Sequence, residues 1–172
     1  MADTATTTID LHRLDLSSGE GTRLEMPVRI APLELGGQTY KAADGSQEVR
    51  LDVSRPSNGF AFRLRFPLRL EGPCMRCLEP AGADLKVDAR EVDQQGTEDE
   101  ELRSPYVVEG ELDIGRWARD AAALAVPTRL LCRPDCAGLC AGCGEPLNDV
   151  DPSAHDHGTS TDPRWDKLNE LK

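Results

Sequence analysis

Six cysteines stand in two clusters, Cys74 and Cys77 in one and Cys132, Cys136, Cys140 and Cys143 in the other. Two pairs, Cys74/Cys77 and Cys140/Cys143, have C-x2-C spacing, and the short loop between such thiolates turns both sulfurs toward one point, as a tetrahedral ion requires. Gly144, directly after Cys143, suits that turn because a residue without Cβ tolerates positive φ and lets backbone N–H groups face the sulfurs. The matched spacing predicts a four-thiolate zinc site made of Cys74, Cys77, Cys140 and Cys143. A second grouping places all four cysteines of 132–143 around one ion. Under the first grouping, Cys132 and Cys136 are left with His155 and His157, and these four could furnish a second, mixed site. Two tight clusters are unlike scattered core thiols, and a disulfide framework belongs to small secreted chains.

The rest of the composition narrows the setting. The first thirty residues lack a basic start followed by an apolar core, so no secretory signal is expected, and no run approaches the ~18 apolar residues of a membrane span. A soluble cytoplasmic protein is the expectation, and in that reducing setting paired cysteines read as metal ligands. With 172 residues, 38% hydrophobic and 4% aromatic, the chain can bury one modest core, which structural zinc would supplement. The net charge of −11 argues against a general nucleic-acid binder, since neutralising phosphates needs clustered Lys and Arg.

The elements that must position the cysteines follow from periodicity. Residues 1–8 are polar and expected to fray, 9–148 form one domain, and 149–172 form a tail. Ile9 to Leu16 and Leu24 to Ile30 read as a first strand pair, or a strand and an irregular arm. Gly36-Gly37 and Asp44-Gly45 mark turns. Val49, Leu51 and Val53 alternate with polar residues, as on a half-buried strand. From Phe60 to Leu70 the apolar residues all fall on one face, with Arg63, Arg65 and Arg69 on the other. Pro67 predicts an edge position or a bulge there. The strand runs into Cys74, and Leu85 to Val92 returns as a hairpin partner. An acidic loop over 93–104 follows. Glu111 to Val126 then reads as a helix capped by Asp113 and closed by Pro127, with Ile114, Trp117, Ala118, Ala121, Leu124 and Ala125 on one stripe. The fold class expected is α+β, with an antiparallel sheet, open or barrel-like, one or two packed helices and a zinc-knuckle C-terminal region.

The segment from Glu109 to Asn148, with CMRCLEP upstream and DPRWDKL near the end, resembles the YceD family, the large ribosomal RNA subunit accumulation proteins (the DUF177 family). Its C-x3-C-x-G-L-C-x2-C-G pattern, followed by L-N and later D-P-R, is matched at Cys132, Cys136, Gly138, Leu139, Cys140, Cys143, Gly144, Leu147, Asn148, Asp162, Pro163 and Arg164. The upstream C-x-R-C-L is matched at Cys74, Arg76, Cys77 and Leu78. Many members carry C-x-C between L-N and D-P-R, where this chain has His155 and His157. Histidine there either replaces cysteine as a ligand or marks a site that has decayed.

The resemblance implies a cytoplasmic accessory factor in ribosome biogenesis, needed for accumulation of large-subunit ribosomal RNA, with no known enzymatic activity. The chain agrees in showing no Gly-rich phosphate loop after a strand and no Ser/His/Asp or Cys/His arrangement. Closed thiolate shells imply structural rather than catalytic zinc. The arginine face (Arg63, Arg65 and Arg69, with Arg76 close in sequence) could track the phosphates of ribosomal RNA, or be an ordinary solvated face paired to neighbouring acids. The acidic loop could instead meet a basic ribosomal protein. The competing function is a thiol redox or metal-handling protein using its C-x2-C pairs.

Overall fold

A computed structural model of the chain describes residues 7–94, 96–151 and 155. Its organising unit is a long hairpin. Strand β6 (Gly59–Pro73) and strand β7 (Pro80–Gln94) pair antiparallel over their whole length, from Gly59 opposite Gln94 to Pro73 opposite Pro80. The loop between them is the Cys74–Cys77 knuckle. Phe60, Phe62, Leu64, Phe66, Leu68 and Leu70 are all buried, so the alternation read from sequence sets the inward face. At ~25 cal/mol per Å² of apolar surface, such large side chains contribute most of the sheet's stabilisation.

Around the hairpin stand β2 (Gly21–Val28), β3 (Leu33–Leu35), β4 (Gln38–Ala42) and β5 (Gln47–Ser54), giving a sheet of order β2-β5-β6-β4-β3 with β7 on β6's other edge. Gly36 and Gly37 both have positive φ (59° and 76°), the backbone that a two-residue turn between β3 and β4 demands. Tyr40 lies across Gly72, where an added Cβ would sit 2.3 Å from its ring. That contact holds β4 against the knuckle end of β6.

A second, three-stranded sheet runs β1 (Thr8–Asp10), β9 (Glu111–Asp113), β8 (Val107–Val108). From β9 the chain enters helix α1 (Ile114–Ala125), whose first turn is capped by Asp113 accepting from the Arg116 N–H at 2.9 Å. Trp117 anchors the helix on the hairpin: its ring meets Phe62 edge-on at 6.3 Å and stacks on Tyr106 at 6.1 Å. The architecture is α+β, with an open sheet rather than a closed barrel.

Five expectations change. The segments 9–16 and 24–30 do not pair with each other: β1 pairs with β9, and β2 with β5. A buried Leu11 and a short 3-10 turn, Leu11–Leu14, separate them. β6 is central rather than an edge strand. Pro67 falls in the interval where that edge of β6 passes from β5 (paired through Arg65) to β4 (paired from Leu70), so no ladder there needs its missing N–H. The helix starts at Ile114 because 111–113 pair as β9. On α1, Ala122 rather than Leu124 completes the buried stripe, and Leu124 is 90% exposed, since position 124 falls at the stripe's margin. The polar start is partly held, with the Ile114 N–H bonded to the Thr7 carbonyl at 3.0 Å; residues 1–6 lie outside the described residues.

Candidate metal centre

The sulfurs of Cys74, Cys77, Cys132 and Cys136 converge within 4.8 Å of one another. Cys74 Sγ lies 3.7 Å from Cys136 Sγ, and Cys77 Sγ lies 3.5 Å from Cys132 Sγ. A disulfide needs about 2.05 Å, whereas four thiolates bonded tetrahedrally to zinc at about 2.3 Å sit roughly 3.8 Å apart. The observed spacing fits the ion. The pairing expected from matched spacing is therefore corrected: Cys74 and Cys77 meet the C-x3-C pair, not Cys140 and Cys143. The grouping of all four cysteines of 132–143 around one ion is overturned by the same geometry.

Local structure explains the partners chosen. After α1 the chain passes the knuckle, where the Met75 N–H bonds the Leu130 carbonyl at 2.9 Å and the Leu130 N–H meets the Met75 sulfur at 3.3 Å. That clasp delivers Cys132 and Cys136 to the hairpin tip. Cys74, Cys77 and Cys136 are buried among Ala81, Leu131 and Leu139, so the cage is a small second core. Asn148 closes it from outside: its Oδ1 accepts from the Ala137 N–H at 2.9 Å, and its Nδ2 approaches Glu79 Oε2 at 3.4 Å and Cys132 Sγ at 3.7 Å. Arg133 also donates to the Asn148 carbonyl.

Electrostatics point the same way. Burial opposes a charged Cys74, but the N–H groups of Cys77, Arg76 and Cys132 outweigh it and hold the thiol at about 6. Burial, then the neighbouring thiols, push Cys132 up to about 12, and burial raises Cys77. Four sulfurs this close cannot all ionise alone, and a divalent cation supplies the charge that lets them. If zinc is the ion, it serves as a structural cross-link with a closed shell.

The remaining candidates gather separately. Cys140, Cys143 and His155 bring one ligand atom each within 4.8 Å of one another, with Cys143 Sγ 3.4 Å from His155 Nε2. Backbone N–H groups of Cys143 and Gly142, then His155, lower Cys140 to about 6. Cys143 lies above its ordinary value: the Glu145 N–H favours its thiolate, but desolvation and the adjacent Cys140 outweigh that. His157 lies outside the described residues, as does the D-P-R motif at 162–164.

Both knuckles have one design. The Cys74 N–H bonds the Glu79 carbonyl (2.7 Å) and the Leu78 N–H bonds the Cys74 carbonyl (3.0 Å). Their counterparts are Cys140 to Glu145 (2.8 Å) and Gly144 to Cys140 (2.9 Å). An N–H two residues on faces each first sulfur, from Arg76 at 3.4 Å and from Gly142 at 3.3 Å. Leu78 and Gly144 hold φ of 64° and 78°. The supporting residues Glu79, Glu145 and Asn148 were missed as site residues, yet a signal existed: CMRCLEP and CAGCGEP both read C-x2-C-x-E-P.

Arg63, Arg65 and Arg69 do share the outer face of β6. Each is ion-paired there, Arg63 with Asp88 at 2.6 Å, Arg69 with Asp84 at 3.0 Å, and Arg65 with Asp52. Across four strands one row reads Arg23, Asp52, Arg63, Arg90 and the next Glu25, Arg50, Arg65, Asp88. The first row carries three arginines against one aspartate. Arg23, then Arg65, hold Asp52 below the usual carboxylate range against the opposing effect of burial. Arg76 belongs instead to the knuckle, donating to the Ala137 carbonyl at 3.3 Å. Among the described residues no helix is long and apolar enough to cross a membrane.

Comparison with known proteins places this arrangement. Residues 62–172 match the family described as large ribosomal RNA subunit accumulation protein YceD, a span holding both knuckles and α1. An uncharacterized protein of Mycobacterium tuberculosis and one of Mycobacterium bovis are each 31% identical over 173 residues, covering 95% of this chain and 80% of theirs. An uncharacterized protein of Mycobacterium leprae is 33% identical over 103 residues, covering 57% of this chain and 46% of its own. No solved structure matches the chain. With more than half its length matched, and the hairpin tip and both cysteine clusters inside the match, the chain belongs to the YceD family.

Proposed function

We propose that this protein is a cytoplasmic, non-enzymatic accessory factor for the accumulation of large-subunit ribosomal RNA, working as a zinc-stabilised binding module. The observation that carries the reading is the family match over 62–172, together with a buried four-sulfur cage that joins the two halves of that match. A closed thiolate shell suits a scaffold, since chemistry at zinc needs an open position. Each knuckle sulfur lies near one from the other cluster, which supports metal ligation over dithiol exchange within Cys74/Cys77.

The binding surface in this reading is the charged outer face of β2, β5, β6 and β7. Exposed ion pairs are weak, so Arg63 and Arg69, and at greater cost the half-buried Arg65, can trade aspartates for RNA phosphates or for the acids of a ribosomal protein. The test is to replace the cellular copy with an Arg63→Gln, Arg65→Gln, Arg69→Gln variant and measure large-subunit against small-subunit ribosomal RNA. Glutamine is preferable to glutamate, which would crowd Asp52, Asp84 and Asp88. The expected result is depleted large-subunit RNA and lost co-purification of ribosomal components with zinc content unchanged. Full RNA levels with unchanged partners would refute this surface, and full RNA levels in a strain lacking the protein would refute the function.

A further inference from the structure

We infer that Cys140, Cys143 and His155 form a second metal site, loaded separately from the four-cysteine cage and selective for a zinc-class ion that accepts sulfur and imidazole ligands together. Three independent features support it. The first is the repeated backbone of the two knuckles, with matching N–H contacts to the first sulfur and matching positive φ. A loop that already gathers two thiolates of the first cage is reproduced at Cys140 and Cys143.

The second is the placement of His155. Its side chain is only 10% exposed, and its two ring nitrogens face different partners: Nε2 lies 3.4 Å from Cys143 Sγ, and Nδ1 lies 3.7 Å from Glu145 Oε2. Metal-bound histidines commonly direct their second nitrogen to a carboxylate, which fixes the tautomer and raises ligand basicity. Glu145 is therefore a positioning residue. The third is separation of environment. The first cage is sealed by apolar neighbours, whereas Cys143 is exposed and Cys140 partly so. A soft borderline ion fits this donor set, and hard cations, which take oxygen ligands, do not. Exposure makes the second ion the more exchangeable of the two. Binding there would tie His155 to the Cys140–Cys143 knuckle, twelve residues before it in sequence.

The inference extends the metal reading given above, and stoichiometry distinguishes their failures. Full-length protein is saturated with zinc under reducing conditions, then titrated with a chromophoric chelator. Wild type is expected to release two ions per chain in two steps. Cys143→Ser and His155→Ala should each bind one ion, lacking the early step, with far-UV dichroism unchanged. Glu145→Gln should keep both ions but weaken the early one about tenfold or more. Cobalt substitution gives a second readout: the early-released ion should show a two-sulfur spectrum, weaker in thiolate charge transfer than the four-sulfur one. One ion per chain in saturating zinc, released in the late step, or two ions retained by both Cys143→Ser and His155→Ala, would overturn the second site and leave the first standing. Loss of the late step in wild type would instead remove the first.

Discussion

Leu78 and Gly144 occupy the same place in the two knuckles, one residue after the second cysteine and in the left-handed region. Glycine takes that backbone freely, and the sequence around Gly144 announces it. Leu78 does not, because leucine carries no signal for positive φ, and only the repeat of C-x2-C-x-E-P ties the two positions together. Relief of about 1–2 kcal/mol of left-handed strain, offset by glycine's entropic cost of about 0.5–1 kcal/mol, makes Leu78→Gly stabilising by about 0.5 kcal/mol. Leu78 is 54% exposed, so little packing is lost. A denaturant midpoint that falls, with metal still bound, would show that the side chain matters more than its backbone. At Asp52, Arg23 and Arg65 hold the carboxyl below its ordinary value of 3.8. The sign follows: the stability this group contributes is present above pH 3.8 and is lost as acid protonates it in the fold. Asp52→Asn should therefore cost up to about 1 kcal/mol near neutrality and nothing in strong acid, as paired unfolding curves would record.

Hydrophobic period made the elements around the site readable. The face of β6 from Phe60 to Leu70, the hairpin return and the Asp113-capped helix all follow from alternation or helical spacing. Pairing did not follow. Nothing in the period of 9–16 says that its partner is the short strand before α1, and the partner is fixed by burial of Leu11 and by the bond from the Leu11 N–H to the Gly110 carbonyl at 2.9 Å. The cysteine partners were misread for a related reason. Equal C-x2-C spacing reports that two loops have one shape, not that they share an ion, and the clasp between Met75 and Leu130 decides which thiols meet. The helix that sets this clasp depends on Trp117, 2% exposed between Phe62 and Tyr106. Trp117→Ala should cost about 3–5 kcal/mol, read as a lowered unfolding midpoint, and should weaken retention of the first ion in parallel. A midpoint shift without any change in metal retention would uncouple helix and cage.

For the whole molecule, the charged face and the cysteine cage lie at different places. The chain is acidic overall, yet its sheet presents a row with three arginines and one aspartate, and an acidic background of this kind suppresses indiscriminate anion binding. If that face meets RNA, each arginine removed should lower the salt dependence of binding by roughly one unit of slope. With an ion bound, the cage would have the larger structural role: it would tie the tip of the β6–β7 hairpin to the segment following α1, two regions more than fifty residues apart in sequence, and structural zinc contributes about 10–16 kcal/mol in small peptides. The most direct test is zinc content and unfolding of Cys77→Ser, Cys132→Ser and Cys143→Ser side by side. Shared ligation requires Cys77→Ser and Cys132→Ser to lose the same ion and suffer the same large drop in midpoint, with Cys143→Ser keeping that ion. Loss of one common ion by Cys77→Ser and Cys143→Ser, with Cys132→Ser unaffected, would contradict the cage.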